Sequence, residues 1–347
     1  MNIAVRSFAK INLGLYIGAR RGDGFHDLRT VYQTIALHDV IRLSTGRGEG
    51  LEILCSDPQV PLDSSNTCYR IAEKVIERLK PRGRIFIEIE KRLPVQGGLG
   101  AASSNAVATM TGLERLLKKE LSGAERLQIA AEIGSDLPLF LIGGTVLGVG
   151  RGEEVYPLPG LPSIPMVVVT PEAGVSTPAA FAAWDKLIEK EGAAALRPAG
   201  QPGTARPTQA IPELTHYGSS DRLIELGRAL SAWLGRNPDA GAPAKVKSGG
   251  RVGSLLSDLV RAGIENDFER VVFSQIPELR DIKRALVRAG SKYASLSGSG
   301  STLYGLFETE KTAVKAAREL REAGFRARAT RTLTRRECRK WSQVAGR

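Results

Sequence analysis

Histidine, cysteine and aromatic residues are scarce. Three histidines, His26, His38 and His216, are scattered along 347 residues, so no zinc site is suggested. Three cysteines, Cys55, Cys68 and Cys338, show no CxxC spacing, which excludes a disulfide framework and predicts free thiols in a reducing compartment. No apolar run is long enough to cross a bilayer; the longest weakly polar stretch, 137–150, is broken by glycines. The opening MNIAVRSFAKINLG puts a lysine and an asparagine where a secretory leader needs an apolar core, so a cytoplasmic location is expected. Also absent is the lysine that a Walker A loop carries after its last glycine, and no kinase HRD or DFG tripeptide occurs.

What is there is an ordinary globular composition, 42% apolar and 25% charged, with enough chain for two domains. The net charge of +12 favours anionic partners. Residues 326–347 carry eight Arg or Lys against one Glu, and read as a solvated edge strand and tail. No RRM, KH or helix-turn-helix signature accompanies them, so neither nucleic acid nor membrane is expected as a partner. The sequence leaves the oligomeric state open.

The segment 3–19 alternates, with Ala9, Ile11, Leu13, Leu15 and Ile17 on one side and Lys10 and Asn12 on the other. It predicts a half-buried strand. Strands are also expected at 31–37, 40–46, 84–90, 139–150, 153–158 and 165–171. Helices are expected at 66–80, 103–119, 123–134 and 181–190. The last part predicts helix, strand, strand, helix, strand over 279–333, which with the strand at 165–171 suggests a ferredoxin-like α+β unit. Residues 191–220 are rich in Ala, Pro, Gly and Thr and read as a flexible insertion, with one further helix at 221–234.

LPVQGGLGAASSNAV, residues 93–107, places glycines ahead of a helical run. Orphan amides at a helix start, reached through a glycine loop, suit phosphate oxygens. The Rossmann pattern is only half met, since Ser103 stands where its last glycine belongs.

This stretch resembles the second motif of the GHMP kinases, the small-molecule kinases of galactose, homoserine, mevalonate and phosphomevalonate. SLSGSGSTLYGLF (295–307) is similar to their third motif. FAKINLGLYIGARRGDGFHDLRTVYQTI (8–35), IGSDLPLFLIGGTVLGVGRGEEV (133–155) and GVSTPAAF (174–181) resemble the branch that acts on a cytidine-diphosphate-linked alcohol of non-mevalonate isoprenoid synthesis. The resemblance spans the chain except about 190–255. It implies an α+β GHMP kinase fold: a mixed, ribosomal S5-like ATP-binding domain over 1–160 and a ferredoxin-like domain over 161–347 with the insertion at 190–255.

The resemblance also implies roles. Asp136 would be the general base and Lys10 its ion-pair partner facing the transferred phosphoryl. Pro94, Val95, Gln96, Gly97, Gly98, Leu99, Gly100, Ala101, Ala102, Ser103 and Ser104 would wrap the phosphates of ATP, with Asn66 and Lys91 near adenine and ribose. Asn12, Phe25, His26 and Phe181 would hold the cytidyl substrate, the two phenylalanines as a stacking pair. Mg²⁺ would arrive with ATP on phosphate oxygens and water, with no side chain assigned as a metal ligand. GSGST (298–302) would pack as a structural loop rather than cradle phosphate. The family usually has glycine at 96, 101 and 102. Alanine keeps the amide and suits a helix start; Gln96 could crowd the nucleotide or add a contact. Rival readings are a homoserine or mevalonate kinase, a catalytically silent nucleotide-binding protein, and a nucleic-acid module built on the basic tail.

Overall fold

A computed structural model describes residues 2–195, 252–253, 256–257 and 264–344. Most of the insertion at 190–255, with the helix expected at 221–234, lies outside the described residues. Two sheets organise the chain. In the first, β1 (Asn2–Arg20) lies between β11 (Gln343–Val344) and β2 (His26–Gly46), followed by β4 (Arg84–Glu90) and β3 (Leu51–Cys55). A branch adds β5 (Thr145–Val149) on β2 and β6 (Glu154–Pro157) on β5. The second sheet runs β10 (Ala327–Arg331), β7 (Pro165–Val169), β9 (Leu303–Leu306), β8 (Tyr293–Leu296), all antiparallel. That is the ferredoxin-like order expected for these strands.

The alternation of β1 predicts one buried face, yet Ser7 to Ile17 are buried on both. Ala9, Ile11 and Leu13 join a core with Met166, Val168 and Tyr304. The polar face is covered instead by the glycine loop, so Lys10 and Asn12 are 3% and 1% exposed. The run PMVVV in β7 is continuous for a related reason. Met166 and Val168 face the core shared with β1, whereas Val167 and Val169 face a second core with the helices.

α1 (Thr67–Leu79) and α2 (Ala101–Leu117) pack together over β1, β2 and β4. α3 (Gly123–Ile133) opens on a capping box of Ser122 and Glu125. α5 (Thr177–Ala195), α6 (Phe268–Gln275), α7 (Pro277–Arg288) and α8 (Glu310–Glu322) cover the second sheet.

Two expectations are corrected. The strand expected at 139–150 is split: α4 (Leu137–Ile142) precedes the shorter β5. Pro138 suits a helix start, and Gly143 and Gly144, at φ of 68° and 72°, end the helix. An apolar run alone does not separate helix from strand. The basic tail is not merely solvated. A capping box between Thr334 and Glu337 starts α9 (Arg335–Trp341), and β11 then pairs with β1. The described end of the chain thus returns to the first sheet. Among the described residues no helix is long and apolar enough to cross a membrane.

Candidate active site

The glycine loop is pinned from three sides. Leu99 O accepts from Lys10 N at 3.0 Å, Gly97 O from Thr302 N at 3.2 Å, and Gly98 O from Ser297 Oγ at 2.8 Å. Gly98 has φ of 75°, and a Cβ there would stand 1.9 Å from Ser297 O. The 295–302 loop is therefore the support of the first loop, as expected, and its Gly300 also forms part of the cleft wall.

Gly100, at φ of 67°, is the N-cap of α2 and supplies no side-chain cap. The first-turn amides of α2 thus have no capping side chain and suit an anion. Ala101 and Ala102 lie in the helix proper, where alanine keeps both the amide and an unstrained backbone. Residues 94–103, Val175, Ser176, Thr177, Pro178 and Gly300 line a cleft of about 400 Å³. Gln96 is exposed at this wall. Ser104 turns away: the residue is 3% exposed and its hydroxyl accepts from Ser7 Oγ at 2.8 Å. A helix carries Ser103 and Ser104 to different faces, which the loop reading of both serines overlooks.

A second hollow of about 140 Å³ adjoins, sharing Val95 and Ala102 and bounded by Val60, Asn66, Lys91 and Asn105. Asn66 caps α1 through Cys68 N at 2.8 Å while facing this hollow. Lys91 is held at 2.5 Å by Asp39. Asp39, fully buried, also accepts from Arg92 N, Leu93 N and Asn105 Nδ2 at 2.7, 2.8 and 3.0 Å. It ties the exit of β4 to α2 behind the pocket. A larger hollow of about 470 Å³, between α1 and α3, is lined by charged side chains such as Arg70, Glu73 and Glu132 and contains none of the glycine motifs. Backbone donors converge at the glycine cleft instead.

Lys10 and Asp136 meet beside the loop. Lys10 Nζ stands 3.6 Å from Asp136 Oδ2 and donates to Asn12 Oδ1 at 2.8 Å. Its stem passes so close to Gly100 that a Cβ there would be 3.1 Å from Cγ. Burial pulls the Lys10 ammonium below its ordinary pKa, and Asp136 opposes that pull. Asp136 is the N-cap of α4 but its carboxylate makes no capping bond. It accepts instead from Tyr32 Oη at 3.0 Å, and its side chain keeps one-third of its surface open. Asn12 stands behind Lys10, its amide donating to Thr30 at 2.7 Å, so its side chain is engaged at both ends.

The four residues expected to hold a base are arranged differently from a two-phenylalanine clamp. Phe181 stacks on His26, with centroids 5.0 Å apart and planes at 10°, which leaves no room for a base between them. His26 Nε2 lies 2.6 Å from Asp185 Oδ1. Phe25 is half exposed, with the Arg151 guanidinium 5.0 Å over its ring. Sequence reasoning missed Tyr32, Asp39, Arg151 and Asp185. For Tyr32 the alternation of β2 held a signal, since it lies opposite Asn12 in the register; the other three pair across segments that no local pattern connects. Among the described residues no group of three or more His, Cys, Asp or Glu could hold a metal ion.

A glycine cradle against a helix start, joined to a buried lysine and an open aspartate, defines a small-molecule kinase of the GHMP class. Family models agree: "GHMP kinases N terminal domain" matches residues 66–144 and "GHMP kinases C terminal" matches 250–326. A 4-diphosphocytidyl-2-C-methyl-D-erythritol kinase of Solibacter usitatus is 35% identical over 91% of this chain and 84% of its own. One of Heliobacterium modesticaldum is 35% identical over 96% of both. A crystal structure of 4-(cytidine 5'-diphospho)-2C-methyl-D-erythritol kinase superposes with a TM-score of 0.65 at 27% identity, covering 95% of this chain and 99% of that one. A homoserine kinase from Cytophaga hutchinsonii, at 18% identity and a TM-score of 0.61, shares the fold. The chain belongs to the 4-diphosphocytidyl-2-C-methyl-D-erythritol kinase family.

Proposed function

We infer that the protein transfers the γ-phosphoryl of ATP to the 2-hydroxyl of 4-diphosphocytidyl-2-C-methyl-D-erythritol, in the cytoplasm, as a step of isoprenoid precursor synthesis. The observation that carries this reading is the Lys10–Asp136 pair at 3.6 Å beside an uncapped helix start. Phosphoryl transfer asks for an aligned hydroxyl, stabilised phosphate charge and a base for the departing proton. Asp136, open on one side, takes the proton of the acceptor hydroxyl. Tyr32 and Lys10 hold one carboxylate oxygen each, which fixes its direction. The Lys10 ammonium, fixed by Asn12, faces the transferred group from a site shielded from water. Amides of 97–102 bind the β and γ phosphates, and the Asn66–Lys91 hollow receives the nucleoside. Mg²⁺ carried by ATP would supply neutralisation of phosphate charge there, and no side chain of this chain is assigned to hold it. The exposed Phe25 ring, backed by Arg151, and the His26–Asp185 pair bind the cytidyl moiety.

The test is ADP release with 4-diphosphocytidyl-2-C-methyl-D-erythritol, homoserine and mevalonate side by side. The cytidyl compound is expected to turn over at least a hundredfold faster in kcat/KM, about 2.7 kcal/mol of transition-state discrimination. Preference for either of the others refutes the substrate assignment.

A further inference from the structure

The catalytic pair is carried by two elements far apart in sequence, β1 and the start of α4. The C-terminal segment touches both. At the α4 side, the Arg335 guanidinium donates to three main-chain oxygens: Gly143 O at 3.3 Å, Thr145 O at 3.1 Å and Leu158 O at 3.0 Å. Gly143 and Gly144 lie against the tail so closely that a Cβ on Gly143 would be 3.1 Å from Cys338 Cβ, and one on Gly144 would be 2.8 Å from Arg335 N. At the β1 side, β11 pairs with Ala4 and Val5, and Arg6 N donates to Ser342 O at 3.0 Å. Leu333 and Cys338 pack with Phe8, close to Lys10 along the same strand. Leu333 N donates to Thr34 O at 2.8 Å, and Thr34 is the register partner of Lys10.

We propose that Arg335 is a positioning residue for phosphoryl transfer, holding the C-terminal end of α4 so that Asp136 stays against Lys10. One of its acceptors, Gly143 O, belongs to the C-cap of α4, where a helix leaves carbonyls unpaired. Thr145 O lies in β5, where it also accepts from Leu158 N, and Leu158 O follows β6, so the guanidinium ties the end of α4 to both strands. The fork spans the three from two separate nitrogens, Nε on Gly143 O and Nη2 on the other two, whereas a lysine offers its donors from a single nitrogen. Arg335 does not touch the reacting atoms; it acts through the short helix whose first residue follows Asp136. In the basic tail the charge of Arg335 serves this task rather than an acidic partner. The inference rests on the catalytic reading of Lys10 and Asp136.

The test uses the full chain with ATP and 4-diphosphocytidyl-2-C-methyl-D-erythritol. Arg335→Gln is expected to lower kcat about tenfold or more, the scale of a sub-ångström to ångström misplacement, with KM for both substrates within about twofold. The groups facing Lys10 are Asp136 and Tyr32. As Asp136 drifts away the ammonium loses support, so the basic limb of the kcat profile moves to lower pH. Arg335→Lys should fall between wild type and Arg335→Gln, and it carries the test if the glutamine variant does not fold. Arg336→Gln, on an exposed neighbour, should leave kcat unchanged. In an Asp136→Asn background, Arg335→Gln should add little further loss, because both act on one step. Wild-type kcat in Arg335→Gln or Arg335→Lys, or a full multiplicative loss in the Asp136→Asn background, overturns the inference alone. Full turnover by Asp136→Asn overturns the catalytic reading and this inference with it.

Discussion

The phenol of Tyr32 donates to Asp136 Oδ1 at 3.0 Å, so the oxygen left nearest the lysine is Oδ2, 3.6 Å from Lys10 Nζ. A donor on one oxygen and a cation beside the other hold a carboxylate that its own helix does not use as a cap. Tyr32→Phe removes one of them and leaves the ring over Lys10 in place. The expected result is a kcat lower by about tenfold, the worth of one hydrogen bond to a charged group. Steady-state kinetics with KM unchanged would match; an unaltered kcat would remove Tyr32 from the account.

Lys10 sits where burial opposes its charge, so the enzyme keeps an ammonium at a cost in stability. Its folded pKa lies below the ordinary lysine value of 10.5, and Asp136 only partly offsets this. Between the folded and unfolded values the unfolded chain binds more protons, so stability rises as pH rises through that window. Below the window the penalty is fully present. Lys10→Met should therefore be at least as resistant to urea as wild type at neutral pH, while nearly inactive. A lower urea midpoint with an unchanged slope would contradict this.

Asp39 is a hub whose loss should be felt in both folding and nucleotide binding. It accepts four hydrogen bonds, one of them from Lys91. Asp39→Asn leaves the Lys91 charge without its partner, and such a break costs about 3–5 kcal/mol. Urea denaturation should show that loss, and calorimetric titration should show weaker ATP binding.

Gly98 and Ala102 test the loop from opposite sides. Gly98→Ala forces a Cβ into Ser297 O at a positive φ, and ATP affinity should fall at least tenfold. Ala102→Gly puts a glycine inside the first turn of α2. It should cost about 1 kcal/mol of stability and leave ATP affinity within twofold.

Much of this was legible in the sequence, for identifiable reasons. The glycine loop, Lys10 and Asp136 sit in motifs whose order and spacing survive in one dimension. β7, β8 and β9 were readable because apolar runs are bounded by turn residues. What stayed hidden depends on contacts between distant segments. The burial of Lys10 comes from Leu99 and Gly100 folding over β1, not from β1 itself. The His26–Phe181 stack joins the start of β2 to α5, two segments that no local pattern connects. The split of 139–150 into α4 and β5 turns on two glycines, which an apolar run masks. The tail looked solvated because its arginines were counted as charge, whereas Arg335 lies among carbonyl oxygens.

The most direct test of the central claim is single-turnover phosphorylation of 4-diphosphocytidyl-2-C-methyl-D-erythritol by Asp136→Asn and Lys10→Met, with calorimetry confirming that both variants still bind ATP. The account predicts rates lower by about 10²–10⁴, the range for removing a general base or an electrostatic stabiliser. Phosphorylation at the wild-type rate by either variant would contradict it.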